Sequence, residues 1–322
     1  MTLPELKEKL SFINSIEEPI SLSLYFIIET ANGNELKLAD VEPAVNTTLL
    51  QQFKTYINSK LINNETLFFA NLTEAEDRKN SAYFYDLEEK PSGLTFLTTV
   101  LENEEQTKFN FKDYNLNTIK ALIILIGNQN HKISLYKKHY PINYLHRDSV
   151  LRIFPAKTRF EKIDENILSI NESFEFMQIE TDLIILSTKV LEKHFGYEQI
   201  IRNAATANLG VIENSLLLED ITLLNTLSAD LKYAKKIVRI KSGTPVLALP
   251  TTTVMAFIQQ HPILKKKIRL NADNTKVSLD TKVSQELFIK LLNDDFLKSE
   301  LTMLLYDSQN KDSMAIEVEA EV

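Results

Sequence analysis

The stretch Ala121-Leu122-Ile123-Ile124-Leu125-Ile126, then Gly127-Asn128-Gln129-Asn130, then His131-Lys132-Ile133-Ser134-Leu135-Tyr136 decides how this chain is read. Its six-residue apolar run is the longest in the sequence. That is far short of the roughly 20 residues a membrane-spanning helix needs, and it suits a buried strand. Gly and Asn in the following four residues are turn formers, because they tolerate backbone angles other residues avoid. The whole stretch therefore predicts an antiparallel hairpin.

Towards the N-terminus the same logic repeats. Residues 20–28 are β-rich, Ala31-Asn32-Gly33-Asn34 is a turn, and residues 36–41 form a second strand. Pro43 then opens a helix with apolar positions Val45, Leu49, Leu50, Phe53 and Ile57 on one face. Further strands are expected over 81–87 and 94–101. The polar run Glu102-Asn103-Glu104-Glu105-Gln106-Thr107 places a domain boundary just after it, near residue 115.

Towards the C-terminus a hairpin is expected over 174–179 and 183–186, turning at Glu180-Thr181-Asp182. The apolar period then changes from two to 3.6. Helices are expected over 189–213, 215–226, 229–240 and 251–260. A short hairpin over 268–279 turns at Asn271-Ala272-Asp273-Asn274, and helices over 283–292 and 295–306 close the chain. Hairpins followed by a run of helices predict an α+β fold. The expected divisions are an antiparallel β-rich N-terminal domain with a helix, residues 1–115, a domain of hairpins then helices, 116–307, and a frayed tail, 308–322.

Composition removes several function classes. The 322 residues are 44% hydrophobic and 25% charged, so a sizeable core is available. Without any cysteine there is no disulfide scaffold, zinc ribbon, iron–sulfur site or thiol nucleophile. Six glycines leave little room for a phosphate-binding loop, and no Gly-x-Ser-x-Gly elbow occurs. The histidines, at 131, 139, 146, 194 and 261, show no metal-ligand spacing with carboxylates. Residues 1–10 carry no secretory leader pattern, so an intracellular protein without a cofactor is expected.

Charge is distributed unevenly. The net charge is -8, yet residues 121–270 hold 20 bases against 14 acids, and residues 232–270 hold nine Lys or Arg and no acid. A basic segment in an acidic chain suggests a polyanion-binding face. Three candidate groups follow. Lys232, Lys235, Lys236 and Arg239 fall at i, i+3, i+4 and i+7 of the 229–240 helix, with Ser228 as N-cap and Leu231, Ala234, Ile237 and Val238 opposite; Lys241 follows. Lys265, Lys267 and Arg269 would share one face of a strand, where lysines also serve as edge protection. Lys137, Lys138, Arg147, Arg152 and Arg159 are interleaved with Tyr140, Tyr144 and Phe154, a mixture suited to phosphate contact. A rival reading is a metal-dependent nuclease with Asp273, Asp280 and Lys282 on the short hairpin. A third is a non-catalytic adaptor whose basic faces meet an acidic protein.

Whole phrases then carry a resemblance. Leu135-Tyr136-Lys137-Lys138-His139-Tyr140-Pro141-Ile142, Arg159-Phe160-Glu161-Lys162-Ile163-Asp164-Glu165-Asn166-Ile167-Leu168, Leu191-Glu192-Lys193-His194-Phe195-Gly196-Tyr197 and Leu291-Leu292-Asn293-Asp294-Asp295-Phe296-Leu297-Lys298-Ser299-Glu300-Leu301-Thr302 resemble the KwaB family. Its members are the soluble component of the bacterial Kiwa anti-phage system. The resemblance covers about residues 120–312. It implies a cytosolic effector that binds double-stranded DNA, is recruited to the inner membrane by a small KwaA-like membrane protein, and blocks phage DNA functions. The family offers no catalytic motif to carry over. Asn293-Asp294-Asp295 is read here as a helix break. A two-fold homodimer is the expected assembly, since closed two-fold symmetry is commonest.

Overall fold

The computed structural model describes residues 1–74, 78–140, 153–156, 159–162, 168–299 and 301–307; for 153–156 and 159–162 only the main chain is described. The chain divides into two compact units, Met1–Phe195 and Gly196–Val322.

The first unit is organised by one sheet. It contains α1 (Leu3–Lys9), β1 (Ser21–Thr30), β2 (Gly33–Leu38), α2 (Pro43–Ile57), β3 (Phe68–Asn71), β4 (Ser81–Phe84), α3 (Thr95–Glu102), β5 (Ile119–Gly127), β6 (Lys132–Lys138), β7 (Ile153–Ala156), β8 (Arg159–Lys162), β9 (Phe176–Ile179), β10 (Asp182–Ile185) and α4 (Thr188–His194). Eight strands pair in the order β2-β1-β5-β6-β9-β10-β4-β3. Every neighbouring pair is antiparallel except β3 with β4. The three hairpins read from turn chemistry all form. Gly127 is required at the β5–β6 turn, since a Cβ there would lie 2.3 Å from the His131 carbonyl oxygen.

Period-two alternation sorts the sheet's side chains. Leu22, Leu24, Phe26 and Ile28 of β1, Leu122, Ile124 and Ile126 of β5, and Ile133 and Leu135 of β6 join one apolar cluster with Leu6 of α1 and Leu49, Phe53 and Ile57 of α2. Each buried side chain of this size removes about 2 kcal/mol of apolar exposure from water. Helix α3 packs on β5 and β6 with Leu97 and Val100 buried. The sequence predicts a strand there, from β-branched Thr98, Thr99 and Val100. The register β1–β5, from Ser21↔Gly127 to Ile28↔Ile119, joins residues on either side of the predicted boundary near 115 within one unit.

The second unit is mainly helical: α5 (Tyr197–Asn214), α6 (Thr222–Ser228), α7 (Leu231–Ile237), α8 (Thr251–Gln260), α9 (Leu264–Lys267), β11 (Arg269–Leu270), β12 (Val277–Ser278), α10 (Lys282–Leu292), β13 (Phe296–Lys298) and β14 (Leu305–Asp307). Hairpins followed by helices make the chain α+β, as expected. Gly196, at φ 63°, ends the predicted 189–213 helix early and separates α4 from α5. The closing helix expected over 295–306 is instead the antiparallel pair β13–β14. Asp294 at φ 55° and Met303 at φ 59° are left-handed positions that interrupt any helix there.

Candidate nucleic-acid interface

Helix α7 begins at Asp230, not Ser228: the Asp230 carboxylate accepts from Lys232 N at 2.9 Å. Tyr233, Ala234 and Ile237 are buried and fix the helix against α5 and α6. Lys232 is exposed, and Lys235 and Lys236 are half-buried. The helix stops at Ile237, so Arg239 and Lys241 lie beyond it. The predicted stripe is thus three lysines on one short helix and two bases in the turn that follows. Lys241 N donates to Thr244 Oγ1 at 2.9 Å, holding that turn.

Helix α10 completes this face. The Tyr233 hydroxyl donates to the Glu286 carboxylate, which pushes the phenol pKa up to about 12. Lys232 Nζ lies 5.5 Å from the Tyr233 ring centroid and Lys282 Nζ lies 5.2 Å from it. One π-face therefore serves two ammonium groups, an attraction of the cation–π kind. Lys235 Nζ stands 5.9 Å from the Tyr197 ring. At the far end Asn293 Nδ2 donates to Lys236 O at 3.2 Å. Sequence reading assigned Lys282 to a different group; its only sequence signal for this face is its position just after the Thr281 cap of α10.

Lys265 and Lys267 do not share a strand face with Arg269, contrary to the sequence expectation. Leu264–Lys267 is a helical turn, so Lys265, Lys266 and Lys267 fan around it, all exposed. Arg269 alone lies in β11, and its guanidinium sits 3.0 Å from the Asp280 carboxylate. Helix α9 packs on α10, so both lysine groups border that helix.

The third group is dispersed. Lys137 is 7% exposed and points into the first unit, where Nζ donates to Asn171 Oδ1, to Ser173 O at 2.7 Å and to Ser173 Oγ at 3.1 Å. Burial lowers its pKa, with Glu175 and Glu172 opposing the shift. It anchors the segment before β9 and offers nothing to a phosphate. Lys138 is half-buried, its main-chain N–H held by Glu175 Oε2 at 2.7 Å. Burial raises the Glu175 pKa and lowers that of buried His139. Arg147 and Arg152 lie outside the described residues, and Arg159 is placed only by its main chain, on β8.

The nuclease set is not assembled. Asp273 is an exposed turn residue, Asp280 pairs with Arg269, and Lys282 is at Tyr233. Among the described residues no group of three or more His, Asp or Glu could hold a metal ion.

Comparison with known proteins adds a family. Residues 116–302 match the model of a family described as Kiwa protein KwaB-like. The chain is also 30% identical over 318 residues to the curated Kiwa protein KwaB of Escherichia coli O55:H7 (strain RM12579 / EPEC), spanning 98% of this chain and 99% of that protein. No solved structure matches.

Proposed function

Since the chain belongs to the KwaB-like family of Kiwa proteins, we propose that it is a non-catalytic effector of anti-phage defence that holds double-stranded DNA on the basic surface of its second unit. The observation that carries this reading is the acid-free run 232–270, whose nine bases fall on α7, α9 and their flanking turns, with Lys232, Lys265, Lys266 and Lys267 exposed. Clustered ammonium groups neutralise phosphates and release counterions, which supplies affinity without reading bases. Lys282 extends the group from α10. No helix among the described residues is long and apolar enough to cross a membrane. Membrane recruitment accordingly falls to a partner, a KwaA-like membrane protein. A two-fold homodimer would present the basic surface twice.

The test is a gel-shift series of the full chain on a short duplex, with and without Mg²⁺, over a range of salt. Wild type is compared with K232E/K265E/K266E/K267E. Binding without cleavage, lost in the folded variant, supports the proposal; each phosphate contact removed should flatten the log–log salt slope by about 0.9. Unchanged affinity in the folded variant removes this surface from the site. Cleavage in Mg²⁺ replaces binding with the nuclease reading.

A further inference from the structure

The hairpin β13–β14 is an unfinished surface. Two-stranded hairpins are marginal alone in water, yet this one exposes Leu297, Leu305 and Tyr306 and carries Leu301 at 94%, Met303 at 59% and Leu304 at 59% exposure on its turn. Its root adjoins more apolar surface. Phe296 lies with its ring 5.0 Å from that of His261, and His261 lies 5.4 Å from Phe257. Phe257 and Ile263 are both exposed. His261 itself is 5% exposed. Its Nδ1 faces the Ile263 and Leu264 amides at 3.3 and 3.4 Å, so the neutral ring carries its proton on Nε2. That buried Nε2 has no hydrogen-bond partner among the described residues. A buried unmet donor costs about 1–3 kcal/mol. Both the apolar side chains and the donor call for a cover that offers an apolar row and a carbonyl.

The chain carries such a segment where it is needed. The register Phe296↔Asp307 brings the end of β14 back to the root of the hairpin, beside His261. The next six residues, Ser308-Gln309-Asn310-Lys311-Asp312-Ser313, are rich in turn formers. After them Ile316, Val318, Ala320 and Val322 alternate with Glu317, Glu319 and Glu321. Strict alternation is the pattern of a strand with one apolar face. Nine residues from 314 to 322 extend to about 30 Å, enough to run along β14 from root to turn.

We propose that residues 314–322 dock on the hairpin of their own chain as a third, antiparallel strand beside β14. The apolar row continues the face of Phe296 and Leu305 towards His261, Phe257 and Ile263. A main-chain carbonyl of the segment just past Asp307 accepts from His261 Nε2. Residues 308–322 hold one base, Lys311, and four acids, Asp312, Glu317, Glu319 and Glu321, a net charge of -3. Docking sets that charge near α9, whose Lys265 N donates to the His261 carbonyl oxygen at 3.1 Å. The segment then competes with phosphates for the α9 lysines. This last consequence rests on the DNA-binding proposal; the docking does not.

The experiment compares the full chain with I316D/V318D and with a chain stopped after Asp307. Hydrogen exchange should find the amides of 315–321 at least about tenfold slower than in denaturant, and I316D/V318D should abolish that protection. The His261 side-chain nitrogen resonances should shift in both variants. Unprotected amides, or unchanged His261 signals, overturn the docking. Protection that fades on dilution means the segment docks on a second copy and overturns the intrachain arrangement. On duplex DNA at low salt both variants should bind roughly three- to tenfold tighter, the gap closing as salt rises. Equal affinity overturns the competition. Absence of DNA binding in every chain overturns the proposed function and leaves the docking standing.

Discussion

Asn293 donates from Nδ2 both to Ile289 O at 3.0 Å, closing its own helix, and to Lys236 O at 3.2 Å, latching the end of α10 to the last turn of α7. The helix break read at 293–295 is thus also the fixture that orients the basic helix. Replacing Asn293 with Ala removes both bonds and leaves two helix-end carbonyls short of a donor. The expected loss is about 1–2 kcal/mol, read as a lower urea midpoint. Asn293→Asp should cost at least as much, because a carboxylate cannot donate to a carbonyl.

Lys137 and Lys232 separate structure from binding. Lys137→Ala should destabilise the first unit by roughly 2–4 kcal/mol, since a buried ammonium with three acceptors is removed beside buried Glu175. Its DNA affinity, measured under conditions where the protein stays folded, should match wild type. Lys232→Ala should do the reverse: stability within about 0.5 kcal/mol of wild type and a shallower salt slope. Equal losses of affinity in the two variants would place Lys137 in the binding surface.

Local chemistry was legible and distant pairing was not. Gly127, Gly33 and Glu180 sit at turns whose flanking alternation declares each hairpin, and all three hairpins form. Nothing local tells Ile123 that it will face Tyr25 across nearly a hundred residues, so the unit boundary at Phe195 rather than near 115 lay beyond sequence reading. Propensity also misled where tertiary packing outweighed it. Thr98, Thr99 and Val100 favour strands, yet burial of Leu97 and Val100 against β5 and β6 holds them in α3. The α7 lysines were found from charge alone. Lys282 was not, because only the Tyr233 ring brings it to Lys232.

Stability should fall as pH drops through the range of histidine. Burial, then Lys138 and Lys137, holds the His139 pKa below its ordinary 6.5 in the folded chain. The unfolded chain therefore takes up the proton first as pH falls below about 6.5, and stability present above that pH is lost beneath it. Replacing His139 with Phe should narrow the difference in unfolding free energy between pH 7.5 and 5.5 by up to about 1.4 kcal/mol. A variant with the same pH dependence as wild type would mean that His139 keeps its ordinary pKa.

Asp280 bears on whether this protein does chemistry on the DNA it is proposed to hold. A metal-dependent nuclease would need Asp280 with Asp273 to grip the ion and Lys282 to steady the attacking water. Here Asp280 is committed to Arg269 at 3.0 Å on an exposed hairpin, and Lys282 to the ring of Tyr233. Exposed ion pairs contribute about 0–1 kcal/mol, so Asp280→Ala should barely move the unfolding midpoint. It also frees the Arg269 guanidinium, one more cation at the basic surface. Duplex affinity should therefore stay level or rise slightly, with a salt slope steeper by up to about 0.9. Neither wild type nor variant should convert supercoiled or linear duplex in Mg²⁺ or Mn²⁺. If wild type cleaves and Asp280→Ala binds without cleaving, the carboxylate is a metal ligand and the protein is a nuclease.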